Sequence, residues 1–235
     1  MRESNLTLVS RRTRGIIAPM NRRFALLAPI LLLASAAAPA PKPAAPPEPL
    51  PDLVKVEMVT ELGSIELELD HARAPISVEN FVRYVDLRRF DGMTFYRVMR
   101  LKWGTPPNGL IQAGLLGNPQ KILKPIAHEP TSQTGLSHKA GALSMARNAP
   151  GTASADFSIM LSDLTGLDAN PKSDQPELQA GYAVFGRVSG GMDVVRKIYD
   201  VPLSTTKGQG VMIGQMIEQP VRVLTVRRVV VTAGK

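Results

Sequence analysis

The chain has 235 residues, 44% hydrophobic and 20% charged, a composition of globular rather than disordered proteins and enough length for one or two domains. It has no Cys, which excludes disulfides, thiolate zinc sites and thiol nucleophiles and leaves the redox compartment open. The formal net charge is +8, but residues 1–38 hold six Arg and one Glu, a net of +5, so only +3 belongs to the rest and nucleic-acid binding finds little support.

The N-terminus has the layout of a targeting segment. Met20-Asn21-Arg22-Arg23 is positive, Phe24 to Leu33 is an apolar run of ten residues, and Ala34-Ser35-Ala36 is a cleavage pattern, with Ala36-Ala37-Ala38 as a second choice. The expectation is an export signal over residues 1–38, with Met20 as an alternative start, and a mature protein in the periplasm. The apolar run is short for a membrane span and is interrupted by Pro29; an uncleaved anchor is the alternative reading. Membrane contact is therefore expected only through the export signal. Pro39 to Pro51 carries seven prolines in thirteen residues, which predicts an extended linker over 39–52 that packs no core. The folded domain is expected over 53–235.

Val54, Val56 and Met58 alternate with polar neighbours, as do Ile65, Leu67 and Leu69, around a turn at Glu61-Leu62-Gly63-Ser64. This predicts a β-hairpin with one buried face. Pro75 suits a first helical turn, and Val78, Phe81, Val82 and Val85 form a stripe at helical spacing, so a helix runs from Pro75 to about Arg89.

Two short β-like runs follow, Thr94 to Val98 and Gly109 to Gly114, each with one strongly polar side chain, Arg97 and Gln112. Such groups on a sheet must be exposed or paired. Either they are ordinary solvent-facing residues, or they mark a concave site built around Arg97.

Residues 115–139 are broken by Pro119, Pro125, Pro130 and Gly135 and read as an irregular surface excursion. Its two histidines, His128 and His138, lack metal-ligand spacing and read as solvated; no metal or cofactor is expected anywhere in the chain. Further strands are predicted at 141–146, 156–161, 182–188 and 221–231, and a second short helix after Gly190-Gly191 with Met192, Val194, Val195 and Ile198 on its apolar side. Asp156 reads as a polar strand end or site-rim residue. The acidic loop 165–181 fails the calcium-loop pattern. Gly208 to Gly214 lacks the context of a phosphate loop. The arginines of the last strand come without an aromatic platform, so no nucleic-acid partner is expected. Roughly eight strands and two helices without βα alternation predict an all-β-dominated closed antiparallel barrel or a sandwich.

The order of these pieces resembles the cyclophilin family of peptidyl-prolyl cis–trans isomerases. The matching motifs are Gly63 to Leu69, Ala74-Pro75 to Asn80-Phe81, Phe95-Tyr96-Arg97-Val98, Gly109 to Gly114, Leu143-Ser144-Met145-Ala146, Asp156 to Ile159, Ala183 to Val188, and Gly191 to Val195. The resemblance spans about residues 54–232. It implies a closed eight-stranded antiparallel barrel capped by two α-helices, acting as a monomer on proline-containing polypeptides without a cofactor. It implies Arg97 as catalytic residue and Gln112 as its neighbour, holding the substrate backbone. It further implies Leu110, Ala146, Leu167 and Tyr182 around the proline pocket, and Arg147 and Asn148 in the loop strand that pairs with substrate backbone. Departures from the family pattern stand at Gly109 and Ser158, where pocket aromatics are usual, at Asp156 for a glutamine, at Tyr182 for a histidine, and near Gly166, where a tryptophan favours cyclosporin binding. Loss of two rings removes apolar pocket area, so the alternative to an active isomerase is a catalytically weak polypeptide-binding module.

Overall fold

A computed structural model describes residues 49–229; the expected signal segment over 1–38, the alternative start at Met20 and most of the expected 39–52 linker lie outside the described residues. The chain order is β1 (Leu53–Thr60), β2 (Gly63–Asp70), α1 (Pro75–Asp86), β3 (Thr94–Arg100), β4 (Gly109–Gly114), α2 (Thr131–Thr134), β5 (Ala142–Met145), β6 (Phe157–Met160), α3 (Pro176–Ala180), β7 (Val184–Gly190), α4 (Met192–Asp200) and β8 (Met216–Arg228). The strands close into one barrel in the order β1-β2-β7-β5-β6-β4-β3-β8, and every described ladder is antiparallel. Closure leaves no sheet edge exposed.

The predicted hairpin is β1–β2, paired from Leu53↔Asp70 to Thr60↔Gly63. Its alternation puts Val54, Val56, Met58, Ile65, Leu67 and Leu69 into the core. Helix α1 lays its stripe of Val78, Phe81, Val82 and Val85 on the same core and ends at Asp86, three residues before Arg89. Phe81 touches three rings, with centroids 4.9 Å from Phe90, 5.3 Å from Phe157 and 5.4 Å from Phe185. This aromatic cluster supplies much of the large apolar area buried at the core. Helix α4 buries Val194, Val195, Ile198 and also Tyr199, whose hydroxyl donates to the Asn108 carbonyl at 2.9 Å.

Several expectations are corrected. Two further short helices, α2 and α3, lie in segments read as loop, beside the two long helices α1 and α4. Leu50, assigned to a linker without core contacts, packs against the core. Strand β8 begins at Met216, before Pro220. The ladder with β3 jumps there, from Arg97↔Met216 to Phe95↔Val221, and this gap accommodates a residue without an N–H.

The 115–139 segment is a structural tie rather than an excursion. Glu129, 1% exposed, accepts the N–H groups of Ile76 at 3.0 Å and Ser77 at 2.6 Å. These are orphan donors of the first turn of α1, which has no side-chain cap at its N-cap residue Ala74. A carboxylate at a helix N-terminus also meets the positive end of the helix dipole. His138, expected to be solvated, is fully buried, and half-buried His128 bonds the Ala180 carbonyl at 2.9 Å. We predict that Glu129→Ala, which strands two buried N–H donors, destabilises the domain by about 2 kcal/mol or more. Urea denaturation of wild type and variant measures it, and a change under about 0.5 kcal/mol would refute the capping role.

Candidate active site

The site follows from how side chains alternate across the barrel wall. In β4, Ile111 and Ala113 point into the core, so Leu110 and Gln112 point outward. In β3, Phe95 and Val98 are core residues. Plain alternation from Phe95 would turn Arg97 inward. The register instead slips by one between Phe95 and Arg97: Phe95 pairs with Ala113 and Arg97 with Gln112, so Tyr96 is the extra residue of a β-bulge. The bulge turns Arg97 to the outer face, opposite Gln112.

Arg97 is half-buried and held at three of its five N–H bonds. Nη1 donates to Gln112 Oε1 at 2.9 Å, while Nε and Nη2 donate to Gln215 Oε1 at 2.9 and 2.7 Å. Two N–H bonds are left without a partner among the described residues. Both acceptors are neutral amides, so they orient the guanidinium without neutralising its charge. Burial draws the Arg97 pKa below its usual value, and burial pushes the Tyr96 phenol up. Arginine still stays protonated in a protein.

Gln215 is a site residue that the sequence reading missed. It follows the glycine-containing stretch 208–214, whose middle residues form a 3₁₀ turn at Gly210–Met212. Its Nε2 donates to the Val211 carbonyl at 2.7 Å, and its own carbonyl accepts Val98 N–H at 2.8 Å. Gln215 is thus locked at main chain and side chain, and is well suited to position Arg97.

A cavity of about 530 Å³ opens over this face. Arg97, Gln112, Leu110, Ala146, Arg147, Asn148, Leu167 and Tyr182 all line it, so the structure brings every sequence-selected residue together. Within the loop after β5, the main chain of Asn148 is occupied: its N–H donates to Thr152 Oγ1 and its carbonyl accepts Arg147 Nη1. The main-chain N–H and C=O of Arg147 have no partner among the described residues. The Arg147 side chain serves the frame. It lies over the Tyr182 ring at 4.6 Å, donates to the Gly181 carbonyl at 2.6 Å and pairs with Glu177 at 3.0 Å.

Gly109 sits at φ +136°, and a Cβ there would collide with the Met99 carbonyl oxygen, so no side chain of any kind fits at this backbone. Asp156 also lines the cavity. Its Oδ1 accepts the N–H groups of Leu115 at 2.6 Å and Leu116 at 3.2 Å, and burial pushes its carboxyl above the usual range. It fixes the start of the 115–139 segment. A second cavity of about 470 Å³ is lined by Glu68, Asp70, Arg73 and Arg187, whose charges pair among themselves through Arg73–Asp70 and Arg187–Glu68. Among the described residues no three His, Asp or Glu side chains form a metal site.

The protein is thus a closed antiparallel barrel whose outer wall carries a groove with one oriented arginine and open main-chain groups. The family model for cyclophilin type peptidyl-prolyl cis-trans isomerases matches residues 55–227, and the chain belongs to that family. It is accordingly an enzyme of the peptidyl-prolyl cis–trans isomerase class. It is 39% identical to a peptidyl-prolyl cis-trans isomerase of Acinetobacter baylyi over 176 residues, covering 73% of this chain and 84% of that one. It is 37% identical to peptidyl-prolyl cis-trans isomerase B of Escherichia coli over 147 residues, covering 60% and 82%. A crystal structure of a Cryptosporidium parvum cyclophilin shares the fold, with a TM-score of 0.55 at 17% identity over 76% of this chain and 98% of that one.

Replacing Gln215 by Leu keeps the volume and removes the acceptor of two Arg97 bonds. A hydrogen bond to a charged group contributes about 1.5–3 kcal/mol, so we predict a fall in kcat/KM of roughly tenfold or more. The Arg97 Nε–H resonance should shift and broaden in the same variant. An unchanged rate with an unchanged resonance would show that Gln215 does not position Arg97.

Proposed function

We propose that Arg97 catalyses rotation about X–Pro bonds by donating one of its two unpartnered N–H bonds to the prolyl nitrogen. The peptide C–N bond resists rotation with a barrier of about 20 kcal/mol because of its double-bond character. In the twisted state that conjugation is lost and the nitrogen lone pair becomes basic. A donor that bonds the twisted nitrogen better than the planar one lowers the barrier selectively. No nucleophile or proton transfer is required.

The remaining roles follow from placement. Gln112, whose Oε1 orients Arg97, and the open main chain of Arg147 would hold the substrate backbone. Leu110, Leu167 and Tyr182 would border the ring, with Ala146 leaving room for the chain. The observation that carries the reading is the clamp on Arg97: three bonds to neutral acceptors and two N–H bonds left over. Exchange NMR on an alanyl-proline peptide tests it, with Arg97→Ala expected to lower the catalysed rate by about 100-fold, the scale of losing one preorganised donor. Equal rates for wild type and variant would remove Arg97 from catalysis.

One observation favours a second reading. The hydroxyl at Ser158, on the groove floor, withdraws apolar area from the groove, as a polypeptide-binding module with weak catalysis would tolerate. That reading requires peptide binding without accelerated exchange in the same experiment.

We further propose that the chain is exported through its N-terminal signal, stays in contact with the membrane only during export, and works as a monomer assisting folding in the periplasm. The support is the charged, apolar and small-residue order of residues 20–38 and the proline-rich linker behind it. Mass spectrometry on fractionated cells should find a mature N-terminus just after Ala36 or Ala38 in the periplasmic fraction. A full-length chain retained in the cytosol would overturn this.

A further inference from the structure

The register across four neighbouring strands places one lateral row of side chains on the outer face. Arg97 of β3 pairs with Gln112 of β4, Gln112 with Ser158 of β6, and Ser158 with Ser144 of β5. Residues in register point to the same face, so the row runs Arg97, Gln112, Ser158, Ser144. All four line the cavity. Beside it lies an apolar row, Met99, Leu110 and Met160, which belongs to a separate apolar cluster outside the barrel. The floor that faces a prolyl ring is therefore apolar on one side and carries two hydroxyls on the other.

The hydrogen-bonding state of those hydroxyls is fixed from behind. His138 Nδ1 lies 2.5 Å from Asp168 Oδ1 and His138 Nε2 lies 2.8 Å from Ser144 Oγ. A carboxylate only accepts, so Nδ1 carries the proton. Burial holds the His138 pKa below its ordinary value against the pull of Asp168, which leaves the ring neutral and Nε2 an acceptor. Ser144 must then donate its O–H to His138, and it shows only lone pairs to the cavity. Ser158 Oγ makes no bond among the described residues and keeps a free donor. The floor thus offers one acceptor, Ser144, beside one donor, Ser158.

A bare prolyl ring presents CH₂ groups to this pair and satisfies neither. A ring hydroxyl satisfies both, donating to Ser144 and accepting from Ser158. We propose that Ser158 and Ser144 form a subsite for a hydroxyl on the prolyl ring, so that this enzyme acts on X–(4-hydroxyproline) bonds as well as X–Pro bonds. The inference rests on the groove being the isomerase site.

The test uses the full mature domain and three matched peptides, with alanine followed by proline, by (4R)-hydroxyproline or by (4S)-hydroxyproline. Exchange NMR gives kcat/KM for each, and titration gives each Kd. The deciding quantity is the preference for the better hydroxyproline epimer over proline. It should fall about tenfold in Ser158→Ala, the scale of one lost hydrogen bond, and fall likewise in Ser158→Phe. A preference that changes less than twofold in both variants would overturn the subsite. If wild type accelerates none of the peptides, the catalytic reading of Arg97 fails, and the same preference is then judged on Kd.

Discussion

Tyr96 is one residue more than the β3–β4 ladder can pair, and the side chain after it therefore faces out of the barrel rather than into it. An inward arginine would be a charge in a core of Phe95, Val98 and Ile111, which that core has no means to solvate. The bulge resolves the conflict by local geometry. It sets Arg97 opposite Gln112, next to the end of β8 that brings Gln215, and above the groove. The lateral row that continues through Ser158 to Ser144 starts from the same slip in register.

The groove floor is made of strands, not loops. β3, β4, β6 and β5 are consecutive in a closed barrel, and each is paired on both sides. Side chains on such a surface are fixed by ladders that cannot slide without breaking the whole cylinder. The loop segments at the rim are tied separately. Asp156 holds Leu115 and Leu116, and Arg147 bridges its loop to Gly181 and Glu177 while covering Tyr182. Preorganisation of this kind is what electrostatic stabilisation of a twisted amide demands, because donors that must reorient lose their advantage.

Much of this was legible in the sequence. Alternation at Val54 to Met58 and Ile65 to Leu69, and the stripe Val78, Phe81, Val82, Val85, report burial directly, since period and burial share one cause. The order of motifs carried the barrel and the eight groove residues. What stayed hidden depends on partners distant along the chain. Glu129 and His138 sit in a proline-broken, polar segment, and nothing local tells that their partners are the first turn of α1 and Asp168. Gln215 lies behind glycines in a stretch without periodicity, and its role exists only relative to Arg97, 118 positions earlier. Gly109 looked like a lost aromatic; the backbone there, at φ +136° against the Met99 carbonyl, admits glycine alone.

The same distances set an order of assembly. The first turn of α1 lacks its carboxylate until a residue about fifty positions later has been synthesised and docked, so that turn is a non-local structure despite being helical. The guanidinium of Arg97 waits longer still, because the oxygen that fixes it belongs to the approach to the final strand. A chain lengthening from its N-terminus thus carries a complete β1–β2 hairpin and α1 long before it carries an oriented donor. Orientation of the Arg97 guanidinium therefore requires the chain as far as Gln215.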